Sequence, residues 1–167
     1  ARTVTFGVDD DAVALTHADH ASDARFCVCG SRFAYDAITM GHVGRWRCPS
    51  CGRARATPDV SARHVALRED GSTVQVTIAG EACTFDLPLA GLYSVYNALA
   101  AIAAAHALDI DVPTIASALA AAGPAFGRQE RFEVGGRRVR LLLAKNPTGL
   151  NEVLRVLTVA EPPLTVL

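Results

Sequence analysis

Hydrophobic and polar positions change their period partway along the chain. Residues 2–8 alternate, with Val4, Phe6 and Val8 on one side, and predict a strand that ends in the acidic turn Asp9-Asp10-Asp11. Residues 12–24 carry no clean period and read as a short strand followed by loop. Alternation returns at 59–67 and 72–78, separated by the turn Glu69-Asp70-Gly71. A further strand at 81–87 follows the Gly80 turn. The helical period then takes over. Residues 93–108, rich in Ala, Leu and Ile and preceded by Gly91, predict a packed helix. After the loop Asp109-Ile110-Asp111, a second helix starts at Val112-Pro113-Thr114, with proline in its first turn, and runs to Ala122. Gly123-Pro124 stops it.

Beyond a linker at 125–128 the pattern restarts. Residues 131–134 and 137–144 pair through Gly135-Gly136, a hairpin signal. The stretch Val139-Arg140-Leu141-Leu142-Leu143 becomes almost wholly apolar, which predicts a central strand covered on both faces. Asn146-Pro147-Thr148-Gly149 is a tight turn into a helix at 150–157, and a new strand is expected near Leu164. The expectation is an α/β protein with two units, residues 1–125 and 126–167. The second unit is only begun by Leu167. An initial Ala1 and a strand that stops short suggest a piece of a larger protein.

Composition narrows the field. The chain has 167 residues, 50% of them hydrophobic, enough to bury one sizeable core. A formal net charge of −1 gives no global pull toward nucleic acid or a membrane surface. There is no signal peptide, lipidation motif or clean transmembrane stretch. Of sixteen basic residues only Lys145 is a lysine.

The cysteines add chemistry. Cys27-Val28-Cys29-Gly30 and Cys48-Pro49-Ser50-Cys51-Gly52 form two knuckles with eighteen residues between Cys29 and Cys48. This is the layout of a four-thiolate zinc ribbon, one residue short in the first knuckle. Four thiolates close the tetrahedral shell of zinc and leave no position for substrate. The ribbon is expected over about residues 25–56, with Phe33, Tyr35 and Trp46 as flat cover. His42 or His20 could replace a thiol that drops out, and a pair of reduced or disulfide-bonded thiols is the bland alternative. Metal-spaced cysteines without a secretory signal point to the cytoplasm. Cys83, in a strand, reads as a small hydrophobe.

Three short stretches carry further candidates. Asn97 lies near the start of the apolar helix, within Gly91-Leu92-Tyr93-Ser94-Val95-Tyr96-Asn97, and its bland reading is a satisfied polar residue. Arg128, in Phe126-Gly127-Arg128-Gln129-Glu130, could clamp a phosphate from the linker; alone, such a residue is more often a solvated charge. Lys145 and Asn146 sit between an expected parallel strand and a helix N-terminus, where open α/β sheets place ligands.

Taken in order, these stretches resemble the MurT family, the Mur-ligase-like subunits of lipid II isoglutaminyl synthase. The resemblance rests on the ribbon, then Gly-x-Tyr-Ser-x-Tyr-Asn-Ala-Leu-Ala-Ala, then Phe-Gly-Arg-Gln-Glu, then Lys-Asn-Pro-Thr-Gly-Leu-Asn-Glu. It implies part of a Mur ligase central ATPase domain with an inserted zinc ribbon, followed by the start of a Rossmann-like C-terminal domain. It also implies a carbon–nitrogen ligase that uses glutamine as amido donor. ATP and Mg2+ would activate the α-carboxylate of D-glutamate in lipid II as an acyl phosphate. A GatD-type glutaminase would supply ammonia, giving D-isoglutamine at the inner face of the membrane. By position, Asn97, Arg128, Lys145 and Asn146 fall where the family meets ATP, and Cys27, Cys29, Cys48 and Cys51 match the ribbon. The family's catalytic aspartate would lie beyond Leu167.

There are departures. No G-x-x-x-x-G-K-[ST] loop is present, so the segment alone is expected not to hydrolyse ATP. Ser94 stands where the family often has Asn. The competing reading is a non-catalytic zinc-ribbon module that binds nucleic acid or protein, for which Arg45, Arg47, Arg53 and Arg55 supply local positive charge.

Overall fold

The structure, a computed structural model, describes residues 3–17, 24–124, 128–160, 162 and 165–166. Its main sheet has four strands: β1 (Phe6–Val8), β4 (Val60–Leu67), β5 (Ser72–Ile78) and β6 (Glu81–Leu87), in the order β1-β4-β5-β6. β1 runs parallel to β4, and the other neighbours are antiparallel. A parallel pair needs a long connection. Here that connection is the cysteine region, whose hairpin is β2 (Ala34–Met40) with β3 (Val43–Arg47).

β5 shows why the alternation was readable. Ser72, Val74, Val76 and Ile78 are buried and the residues between them are not, as one covered face requires. The cover is α1 (Leu92–Ala107), which buries Leu92, Val95, Ala98, Leu99, Ile102 and Ala103 at three- and four-residue spacing. These side chains meet Val74, Val76, Phe85 and Leu87 in one core. Burying each large aliphatic or aromatic side chain contributes roughly 1.5–3 kcal/mol, so this interface is the main store of stability. α2 (Val112–Ala120) packs beside α1 and along β6 through Ile115. Its N-cap is Asp111, which accepts from the Thr114 backbone N–H at 2.9 Å and from its hydroxyl at 2.8 Å. Those two donors hold the Asp111 carboxyl below the usual range.

The last elements are β7 (Glu130–Val134), β8 (Arg137–Leu141) and α3 (Pro147–Leu157). β7 and β8 form the expected hairpin, with Gly135 and Gly136 both at positive φ. Two expectations need correction. β8 ends at Leu141 and belongs to a two-stranded sheet; Val139 and Leu141 are 45% and 49% exposed rather than covered on both faces. Its apolar run has no further strand beside it among the described residues. Helix α3 starts at Pro147, not Leu150, because Asn146 caps it by accepting from the Gly149 backbone N–H at 2.7 Å. The segment 11–24 holds one short turn of 3-10 helix at Asp11–Val13 and a bridge from Leu15 to Ile38, with 18–23, including His20, outside the described residues. Leu164 also lies outside them. No helix among the described residues is long and apolar enough to cross a membrane.

Candidate metal centre and linker junction

Two short loops bring the four cysteines together. In the first, the Cys27 backbone N–H donates to Ser31 O and the Gly30 N–H to Cys27 O, both at 2.8 Å. In the second, the Cys48 N–H donates to Arg53 O at 2.6 Å and the Gly52 N–H to Cys48 O at 3.1 Å. Gly30 and Gly52 have φ of 86° and 72°, so each chain turns back under its sulfurs without a Cβ in the way. The four Sγ atoms lie within 4.8 Å of one another, with Cys27–Cys51 at 3.7 Å and Cys29–Cys48 at 3.5 Å. Thiolates 2.3 Å from a central zinc would sit about 3.8 Å apart. The donor set and spacing therefore fit a tetrahedral zinc, and the short Cys27-x-Cys29 spacer still delivers both sulfurs. All four are free thiols, not disulfides.

Two of the thiols, Cys48 and Cys51, are shifted in opposite directions. The Cys51 backbone N–H, then that of Ser50, hold the Cys48 thiol down to about 6. Cys51 receives an N–H from Arg53, but the neighbouring Cys48, Cys27 and Cys29 sulfurs outweigh it and push the thiol up to about 11. A cation bound among the sulfurs would favour thiolates and release thiol protons.

The rest of the ribbon is well tied. Phe33 and Trp46 pack with ring centroids 4.6 Å apart. Tyr35 donates its hydroxyl to His42 O at 3.0 Å. His42 sits at the β2–β3 turn, at the opposite end of the hairpin from the knuckles, so it is not a substitute ligand. Arg45 pairs with Asp11, Arg55 with Asp9, and Arg47 lies 3.7 Å from Asp36. Much of the local positive charge is thus matched by carboxylates. Cys83 is half-buried against the core, in β6.

The turn end of the ribbon reaches the helices. Thr39, 1% exposed, shares a 2.6 Å hydrogen bond with the Tyr96 hydroxyl on α1. Arg155 on α3 donates to Thr39 O at 2.8 Å and to Val13 O. It also stands 3.9 Å from Glu152, which is 3% exposed. Arg155→Met keeps the apolar stem but strips both carbonyls of their donor. A loss of about 2–4 kcal/mol is expected, read as a lower denaturation midpoint with an unchanged slope.

The other sequence candidates are not gathered into one pocket. Asn97 is exposed on α1, Arg128 and Lys145 are exposed, and Asn146 spends its side chain on the α3 cap. The residue the sequence reading passed over is Gln129, 7% exposed and at φ +61°. Its Oε1 accepts from the Ala90 N–H at 2.9 Å and from Arg140 at 2.8 Å. Its Nε2 donates to Ala90 O at 2.8 Å and faces the Tyr93 hydroxyl at 2.6 Å and Ser94 Oγ at 3.1 Å. Arg140 continues to Glu69 O at 2.6 Å. Burial lowers the Arg140 pKa and, with the same cause, raises that of Tyr93. Glutamine is mostly exposed in proteins, so nothing local in the sequence marked Gln129 as buried.

Comparison with known proteins places this arrangement. No family model matches the chain. It is 32% identical over 138 residues to the lipid II isoglutaminyl synthase (glutamine-hydrolyzing) subunit MurT of Streptococcus pneumoniae, covering 82% of this chain and 30% of that protein. The structure of a pseudomurein peptide ligase type C from Methanothermus fervidus matches 92% of this chain with a TM-score of 0.75 and 29% identity, and 30% of its own length is covered. MurF from Acinetobacter baumannii matches 62% of this chain with a TM-score of 0.57 and 28% identity, over 23% of its length. The chain thus spans under a third of these relatives.

Proposed function

The chain belongs to the Mur ligase family and resembles MurT over most of its length; from that premise we propose that it is part of the ATP-dependent subunit of a lipid II isoglutaminyl synthase. The observation that carries this reading is the joint one: similarity to MurT across 82% of the chain, with a clustered four-cysteine ribbon inserted between β1 and β4. Residues 1–125 would be the later part of the central ATPase domain, and 126–167 the beginning of the C-terminal domain.

In the proposed reaction, a carboxylate oxygen of the lipid II D-glutamate attacks the γ-phosphorus of ATP. The bond to the bridging oxygen breaks, ADP leaves, and an acyl phosphate remains. Ammonia from a GatD-type glutaminase then attacks the carbonyl, and inorganic phosphate departs, leaving D-isoglutamine. Arg128 and Lys145 would offset phosphate charge, with Asn97 and Asn146 beside the nucleotide. Mg2+ and the catalytic aspartate would come from elsewhere in the full-length protein. Zinc would be held by Cys27, Cys29, Cys48 and Cys51 and would act structurally, since a closed four-thiolate shell offers no Lewis-acid position. The reaction would take place in the cytoplasm, at the inner face of the membrane.

In the full-length protein, Arg128→Ala and Lys145→Ala are each expected to weaken ATP use about 10-fold or more, read as KM for ATP. Unchanged constants in both would remove these residues from the nucleotide site. The nucleic-acid reading draws little support from Arg45, Arg47 and Arg55, which already face carboxylates. Titration with oligonucleotides is expected to be flat at all salt concentrations; a salt-dependent shift would favour the binding-module reading instead.

A further inference from the structure

We infer that Gln129 is a positioning residue whose buried side chain pins the chain at position 129 to the start of α1 and thereby aims Arg128. The inference rests on the reading of Arg128 as a phosphate ligand. Gln129 is among the few buried polar residues, and its amide is used at both ends. Oε1 receives the Ala90 N–H and the Arg140 guanidinium, while Nε2 gives to Ala90 O. Nε2 has two hydrogens for three acceptors, so the Tyr93 hydroxyl and Ser94 Oγ share the second.

Ala90 is 0% exposed, and Ser94 is tied back to its carbonyl at 2.8 Å. The anchor is therefore rigid: it precedes α1, the helix that carries Asn97 two turns along. The pairing with both N–H and C=O of Ala90 copies one rung of a β ladder, made by a side chain from 39 residues away. The left-handed backbone at Gln129 fixes the direction in which the chain enters it, and Arg128 is the residue immediately before. Arg128 is itself exposed. Its Cα is held about 3.8 Å from a buried, five-contact neighbour, so the pin sets where a flexible cation begins.

Chemistry selects glutamine here. Asparagine is one methylene short of reaching both groups of Ala90. Glutamate keeps length and the acceptor for Arg140 but turns a lone pair toward Ala90 O. Both changes would release position 129 from Ala90 while leaving Arg128 in the sequence.

The test is a double-mutant cycle in the full-length protein with its glutaminase partner, read as KM and kcat for ATP alongside the melting temperature. Gln129→Ala is expected to raise KM for ATP about 10-fold, since misplacement by about 1 Å can cost up to 100-fold in rate. In an Arg128→Ala background the same change should add nothing, because the group it aims is gone. Gln129→Glu, which preserves length, carries the test if the alanine variant does not fold. Additive losses in the cycle, or an unchanged KM in Gln129→Ala and Gln129→Glu, would overturn the inference while leaving the Arg128 reading intact. An unchanged KM in Arg128→Ala alone would remove that reading and the inference with it.

Discussion

Chelation of the zinc proposed for the four cysteines should unfold residues 25–56 and lower the melting transition of the whole protein. Apart from the cysteines, the knuckles bury little apolar surface. Phe26 and Val28 are 64% and 84% exposed, and the local apolar contact is mainly the Phe33–Trp46 pair. In small zinc folds the metal contributes roughly 10–16 kcal/mol to folding, comparable to the roughly 5–15 kcal/mol that keeps a typical protein folded. The effect should not stay local, because Thr39 is bonded to Tyr96 on α1 and receives Arg155 from α3. If only about 3 kcal/mol were transmitted, the transition would fall by roughly 6–12 °C for a protein of this size. Cys48→Ser should behave like chelation, and re-addition of zinc should restore the wild-type protein but not the variant. An unaltered transition after complete metal removal would mean that the sulfurs fold the ribbon unaided.

The second large effect is expected at Gly91. Its φ is +86°, a conformation that L-residues rarely adopt. A Cβ there would stand 2.6 Å from Tyr93 Cε1 and 2.8 Å from Val156 Cγ2, and Val156 is 2% exposed. Gly91→Ala therefore adds backbone strain to a collision at the contact between the start of α1 and α3. Together these should cost about 3–5 kcal/mol, read as a shift of the denaturation midpoint. Gly123→Ala is the control: nothing lies within 4 Å of its added Cβ, and its midpoint should stay within about 0.5 kcal/mol of wild type. Equal effects at the two positions would show that the α1–α3 contact is looser than described.

Which features were readable from the chain follows from their range. β5 and α1 carry their burial as a simple period, and the Gly135-Gly136 turn announces its hairpin locally. The cysteine spacing likewise brought four sulfurs together, since each knuckle closes over six residues or fewer. What escaped depends on partners far off in sequence. Gln129 answers to Ala90, 39 positions away, and Arg155 to Thr39 and Val13, 116 and 142 away. No periodicity encodes such contacts. The apolar run at Leu141 to Leu143 misled for a related reason. It records how a strand would be covered, but not whether the neighbouring strands lie beside it. Asn146 shows a third case, where one residue type suits both a ligand site and a helix cap, and here its side chain makes the cap.

Under the proposed function the chemistry lies away from the four cysteines, at Arg128 and Lys145. The measurement that addresses this proposal most directly combines the full-length protein with a GatD-type glutaminase, ATP, glutamine and lipid II. Mass spectrometry of the stem peptide would follow conversion of the D-glutamate α-carboxylate to the amide. The expected product is amide that depends on both ATP and glutamine, with one ADP formed for each amide. Lipid II left unamidated by the intact, zinc-loaded complex would contradict it.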